Sequence, residues 1–172
     1  MHTPRTPYST ISLIGMPGVG KSTVGVVLAK LVGLAFSDTD LAIQSREGDS
    51  LQGVLERNGA RAFREIEREV ILAEPLAGRV VATGGSAIYS DRVMRRLRAA
   101  GPVVYLRADV DTLMERVRLN PQRGIASDSD QSYEDIYAER VPLYERHATH
   151  SVDAVGGSAD AVAALIVQAL HD

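Results

Sequence analysis

Within residues 15–23, Gly-Met-Pro-Gly-Val-Gly-Lys-Ser-Thr, the chain places a glycine, four further residues and then Gly-Lys-Ser at Gly15, Gly20, Lys21 and Ser22. That spacing suits a loop wrapped around the phosphates of a nucleoside triphosphate. Glycines are needed because the backbone must curl until several N–H groups face one anion. A helix opening at Lys21 would turn its positive end toward the same point. Lys21 is then expected to reach the β- and γ-phosphates, and the Ser22 hydroxyl to ligate Mg²⁺. The alternative is a glycine-rich turn that holds no ligand.

The rest of a phosphate-handling site needs carboxylates and cations. Asp38-Thr39-Asp40 follows a short apolar run. Asp38 can serve a Mg²⁺ shell through water, and Asp40, two residues on, faces a second ligand. Both also suit a helix N-terminus, and the two roles are compatible. Arg64 stands in Phe-Arg-Glu-Ile-Glu (63–67), Arg123 in a polar stretch, and Arg140 in Glu-Arg-Val-Pro-Leu-Tyr (139–144). Arginine grips carboxylate or phosphate because its planar fork donates two parallel hydrogen bonds. Spacing alone does not make the three converge, and helical pairing of Arg61 with Glu65, or of Arg64 with Glu67, is the ordinary reading. The guanine-reading Asn-Lys-x-Asp stretch is absent, and the RVVAT run (79–83) carries no aspartate.

These residues need a frame that brings them together. Short apolar runs at 11–14, 34–37, 79–83 and 103–106, with a weaker one at 150–155, read as strands. Between them lie helical segments at 21–32, 40–46, 50–57, 60–74, 90–100, 109–119 and 132–147, the last broken or bent near Pro142, and at 159–170. Alternation of this kind predicts an α/β fold with a parallel sheet covered on both faces, whose ligands bind at the carboxyl ends of the strands. GMPG, DTD and TGGS all fall on that rim. Residues 120–131, NPQRGIASDSDQ, are the most polar and least periodic stretch and read as a mobile loop. Tyr133, Tyr137 and Tyr144 recur at spacings that suit helix packing.

The bulk numbers exclude several classes. With 172 residues the chain makes one domain with a real core. Its formal net charge of −3 argues against a nucleic-acid binder. It has no cysteine, hence no disulfide framework and no thiolate metal site. Residues 1–10 read as a disordered lead-in and not a signal peptide, and no run suits a membrane span, so the expected setting is cytoplasmic. His147 and His150 lack the partners of a zinc site.

Taken together, GMPGVGKST, DTD, FREIE, ERVPLY and a partial TGG resemble the shikimate kinase family from about residue 11 to 170. The resemblance implies a three-layer P-loop fold of the nucleoside-monophosphate-kinase type with a five-stranded parallel sheet, a substrate-binding region over 34–75 and a lid over 120–131. It implies ATP bound by Gly15, Gly18, Val19, Gly20, Lys21, Ser22, Thr23, Arg116 along the adenine, and Arg123 from the lid. Mg²⁺ would be served by Ser22 and Asp38. Asp40 would bind acceptor hydroxyls and act as general base, with Lys21 and Arg123 as the other catalytic groups. Arg64 and Arg140 would clamp the acceptor carboxylate, Glu67 would orient Arg64 or a hydroxyl, and Gly84 and Gly85 would admit the substrate to the backbone. A monomer is implied, acting on ATP and a small hydroxylated carboxylic acid, with no nucleic acid and no membrane.

Two positions depart from the family pattern. Ser86 stands where the family has a third glycine, and Arg123 is followed by Gly124-Ile125-Ala126 in place of a proline and larger apolar residues. Neither removes a catalytic group, but either can retune the acceptor. A kinase of another hydroxylated acid and a regulator that binds nucleotide without chemistry are the alternatives.

Overall fold

The computed structural model describes residues 6–120, 125 and 130–172. Five strands, β1 (Thr10–Ile14), β2 (Ala35–Asp38), β3 (Arg79–Ala82), β4 (Val103–Arg107) and β5 (His150–Asp153), form one sheet in the order β2-β3-β1-β4-β5. Every pairing is parallel. All of β1 and the first four residues of β4 are buried, as near-continuous apolar runs in a sheet covered on both faces should be. Expected and observed strands agree to within two residues at each end.

The helices are α1 (Lys21–Val32), α2 (Thr39–Glu47), α3 (Leu51–Ala73), α4 (Asp91–Ala100), α5 (Val110–Leu119), α6 (Tyr133–His147) and α7 (Ala159–Ala169). The two helices expected at 50–57 and 60–74 form one run with a break at Gly59, whose φ of 79° and ψ of 166° are not helical. The expected break at Pro142 is absent: α6 runs through it. Proline removes one backbone donor there, but Arg140 and Tyr144 on either side are buried and hold both halves in place. A single 3₁₀ turn at Ala87–Tyr89 had no sequence signal.

Packing follows from these placements. α1 lies against α7 and against β2 and β3, while α4 meets β1 and α6 meets β4. The main core surrounds the sheet. A second cluster, Ile43, Val54, Phe63 and Val70, joins α2 to both parts of α3. That small separate core carries Asp40, Arg64 and Glu67 on its own scaffold beside the sheet.

Candidate active site

The loop between β1 and α1 is shaped by its glycines. Gly15 has φ 150° and leaves no room for a side chain: a Cβ there would sit 2.8 Å from the Leu106 carbonyl oxygen. Gly20, at φ 100°, turns the chain into α1. α2 to α7 each begin with an Asp or Ser side chain that accepts a hydrogen bond from the first turn. α1 has no such side-chain cap. Its positive end is thus open to an external anion. Lys21, nearly buried, donates from Nζ to the carbonyls of Gly15 (2.7 Å) and Met16 (2.9 Å), which holds the ammonium over the loop.

Ser22 and Asp38 meet across the gap between α1 and β2. Ser22 Oγ donates to Asp38 Oδ2 at 2.6 Å, and the other carboxylate oxygen accepts from the Asp40 backbone N–H at 2.9 Å. Asp38 is therefore the N-cap of α2, as one reading of the pair expects, and at the same time the partner of the phosphate-loop serine. A hydroxyl beside a carboxylate is a hard-oxygen donor set. Such a set fits Mg²⁺, which takes few protein ligands and fills its shell with water and phosphate oxygens.

One cleft joins this loop to the far carboxylates. Lys21, Ser22, Asp38, Asp40, Glu67, Gly85, Ser86, Ile125 and Arg140 line a space of about 220 Å³. Space is tight at the Gly84-Gly85 turn beside it. A Cβ on Gly84 would lie 2.0 Å from Glu67 Oε2 and 3.1 Å from Asp40 Oδ1, and one on Gly85 would lie 2.8 Å from Arg140 Nη1. Thr39 Oγ1 accepts from the Gly84 N–H at 3.1 Å and ties the two glycines to the DTD turn.

The two arginines of the expected carboxylate clamp are close but not equivalent. Arg140, 1% exposed, faces the cleft. Arg64 lines the adjoining pocket with Arg61, Arg68 and Tyr89, and it is Glu67 and Ser86 that border both spaces. Both guanidiniums stand over one ring, with their Cζ atoms 4.4 Å (Arg64) and 5.5 Å (Arg140) from the Tyr89 centroid. The Tyr89 hydroxyl in turn donates to Glu139, whose carboxyl is held below its ordinary range by that bond and by one from Gln131. Nothing in the sequence marked Tyr89. Its partners lie 25 and 51 positions away, beyond any local periodicity. Glu65 pairs with Arg68 at 2.6 Å, a helical charge pair different from the two expected.

The tyrosines of α6 do more than pack. Tyr133 donates to the Pro17 carbonyl (2.7 Å), Tyr137 to that of Ala108 (3.2 Å) and Tyr144 to that of Gly85 (2.5 Å). One helix thereby fastens the loops that follow β1, β4 and β3. Arg116 bridges the phosphate loop and the segment after β5, donating to the carbonyls of Val19 (3.1 Å) and Ala154 (3.3 Å). Arg123 and residues 124 and 126 of the expected lid lie outside the described residues. His147 is buried and uncharged at neutral pH, its pKa lowered first by burial and then by Arg98.

Glu67 is a strongly perturbed acid. Burial raises it from its ordinary 4.5 to about 7, opposed by the Ser86 hydrogen bond and by Arg140 and Lys21, and reinforced by Asp40. The folded chain therefore keeps a proton that the unfolded chain releases, so this group costs stability as pH climbs from about 4.5 to 7. Glu67→Gln removes the ionisation and should gain on the wild type by up to about 3 kcal/mol between pH 5 and pH 8. Urea unfolding of both proteins at the two pH values measures it. Parallel pH profiles would mean that Glu67 ionises as easily folded as unfolded.

Comparison with known proteins agrees with this geometry. A sequence model described as "Shikimate kinase" matches residues 17–171. A shikimate kinase of Halorhodospira halophila is 42% identical over 97% of this chain and 96% of its own length. One of Mycobacterium avium is 40% identical over 92% of this chain and 91% of its own. The structure of the Acinetobacter baumannii shikimate kinase in complex with shikimate superposes with a TM-score of 0.85 at 32% identity, covering 95% of this chain and 93% of that one.

Proposed function

The chain belongs to the shikimate kinase family, and on that premise we propose that it transfers the γ-phosphoryl group of ATP to the 3-hydroxyl of shikimate, yielding shikimate 3-phosphate and ADP. The observation that carries the reading is the single cleft: Lys21 and Ser22 at its donor end, Asp40, Glu67 and Arg140 at its acceptor end.

The roles follow from charge and reach. The open end of α1 and the backbone of Gly15 to Thr23 cradle the phosphates, and Lys21 neutralises charge that grows on the β–γ bridge as it breaks. Ser22, with Asp38 through water, would hold Mg²⁺, which would shield the phosphate oxygens. Asp40 accepts the proton of the acceptor hydroxyl as its oxygen bonds to the γ-phosphorus and ADP departs. Arg140, with Arg64 behind it, binds the acceptor carboxylate, and Gly84 and Gly85 let that ligand lie against the backbone. Arg116 lies beside the adenine, and the site must exclude water while both substrates are bound, since an open site would waste ATP on hydrolysis. Among the described residues no helix is long and apolar enough to cross a membrane. We assign the enzyme to the cytoplasm as a monomer.

The direct test is ADP release from ATP and Mg²⁺ with and without shikimate, set beside a panel of other hydroxy acids. Shikimate-dependent turnover well above the panel is expected; turnover only with another acid would reassign the acceptor. Arg64→Ala should raise the acceptor KM about tenfold or more with kcat little changed, the pattern of a lost binding contact. Unchanged acceptor kinetics would remove Arg64 from the carboxylate site.

A further inference from the structure

Ser86 follows Gly84-Gly85 where the family resemblance implies a third glycine, and the structure gives its hydroxyl a definite partner. Ser86 Oγ donates to Glu67 Oε1 at 2.5 Å, with both residues buried (6% and 3% exposed). The other Glu67 oxygen, Oε2, lies over Gly84, 2.0 Å from where a Cβ would sit, and Asp40 Oδ1 lies 3.1 Å from the same point. The two residues together form the wall between the main cleft and the arginine-lined pocket behind it. The bond engages one Glu67 oxygen and leaves the other on the Gly84 side.

We propose that Ser86 is a positioning residue for the acceptor site: its hydroxyl fixes the orientation of the Glu67 carboxyl, holding one oxygen so that the other is presented on the Asp40 side to the acceptor. The inference rests on the proposed kinase function for its consequences in turnover, but the contact itself does not. A hydroxyl donor also favours the ionised form of its acceptor. The charges that face Glu67 are Asp40 from α2, Lys21 from α1 and Arg140 from α6. Arg140 and Lys21 favour the ionised form, and Asp40 opposes it. Ser86 is the one neutral group among them, so replacing it leaves the surrounding charge unchanged.

The test has one arm without substrate. ¹³C-detected titration of glutamate carboxyls in the free, full-length protein, with Glu67→Gln identifying the signal, compares wild type with Ser86→Ala and Ser86→Gly. The Glu67 midpoint should rise by roughly one pH unit in both variants. In turnover, Ser86→Ala should raise the acceptor KM about three- to tenfold while the ATP KM stays fixed, and the acid limb of kcat/KM should move upward with the titration. Added to Glu67→Gln, the same change should cost under about twofold, because a residue acting through Glu67 has nothing left to position. An unmoved Glu67 midpoint, or a full Ser86→Ala effect in the Glu67→Gln background, overturns the proposal. Absence of shikimate turnover in the wild type would sink the kinase reading while leaving the titration result standing.

Discussion

Lys21→Met is expected to lower kcat by about a thousandfold or more while ATP still binds. Much of the phosphate binding comes from backbone N–H groups and the open end of α1, none of which the substitution touches. What disappears is the ammonium, which stands over the loop on the carbonyls of Gly15 and Met16. Its charge matters most when negative charge moves onto the departing phosphate, so the loss falls on the transition state. Methionine keeps the length of the side chain in a nearly buried position and limits damage to the fold. Single-turnover measurement with ATP in excess separates the chemical step from binding. A rate within tenfold of wild type would show that Lys21 does not neutralise the transferring group.

Asp40→Asn should cost about a hundredfold in kcat, the usual contribution of a positioned general base. The amide keeps the shape and can still bond to an acceptor hydroxyl, so KM should change little. A second readout makes the prediction sharper. Asp40 holds the Glu67 pKa up by like-charge repulsion. Removing its charge should therefore lower the Glu67 titration midpoint, even with no substrate present. A loss of kcat with an unmoved Glu67 would place Asp40 in catalysis but out of electrical contact with Glu67. Full activity would remove it from the role of base.

The donor half of the site was legible because its physics is local. A phosphate loop needs glycines, lysine and serine at fixed spacing within nine residues, and a strand and a helix on either side show as periodicity. The sheet was readable for the same reason, and so was the division of α3 at Gly59, where glycine interrupts an otherwise helical pattern. The acceptor half was read through family resemblance, and the details that shape it stayed hidden. Tyr89 sits under Arg64 and Arg140 because the 3₁₀ turn after Gly84-Gly85 delivers its ring there. Tyr133, Tyr137 and Tyr144 look like packing residues in sequence, and only the fold brings their hydroxyls to three separate loop carbonyls. Near Pro142 the sequence suggested a break or a bend; there is no break, because the neighbours on either side are buried. Arg64 and Arg140 were read as one clamp through family resemblance, and the fold sets both guanidiniums against the Tyr89 ring, Arg140 lining the cleft and Arg64 the adjoining pocket.

The missing cap of α1 has a consequence for how the enzyme meets heat. Six helices are closed by their own side chains, a feature worth about 1 kcal/mol each. An engineer seeking a hardier catalyst would turn first to the seventh. The φ of 100° at Gly20 already resists a side chain there, and any residue that did fit would plug the place reserved for phosphate. The nucleotide is the removable cap instead. At a hundred times its dissociation constant, a ligand of this kind adds about 2.7 kcal/mol to folding stability. Heat tolerance thus follows occupancy of the loop: any nucleotide that seats its phosphates there stabilises the folded chain, and emptying the loop removes that share.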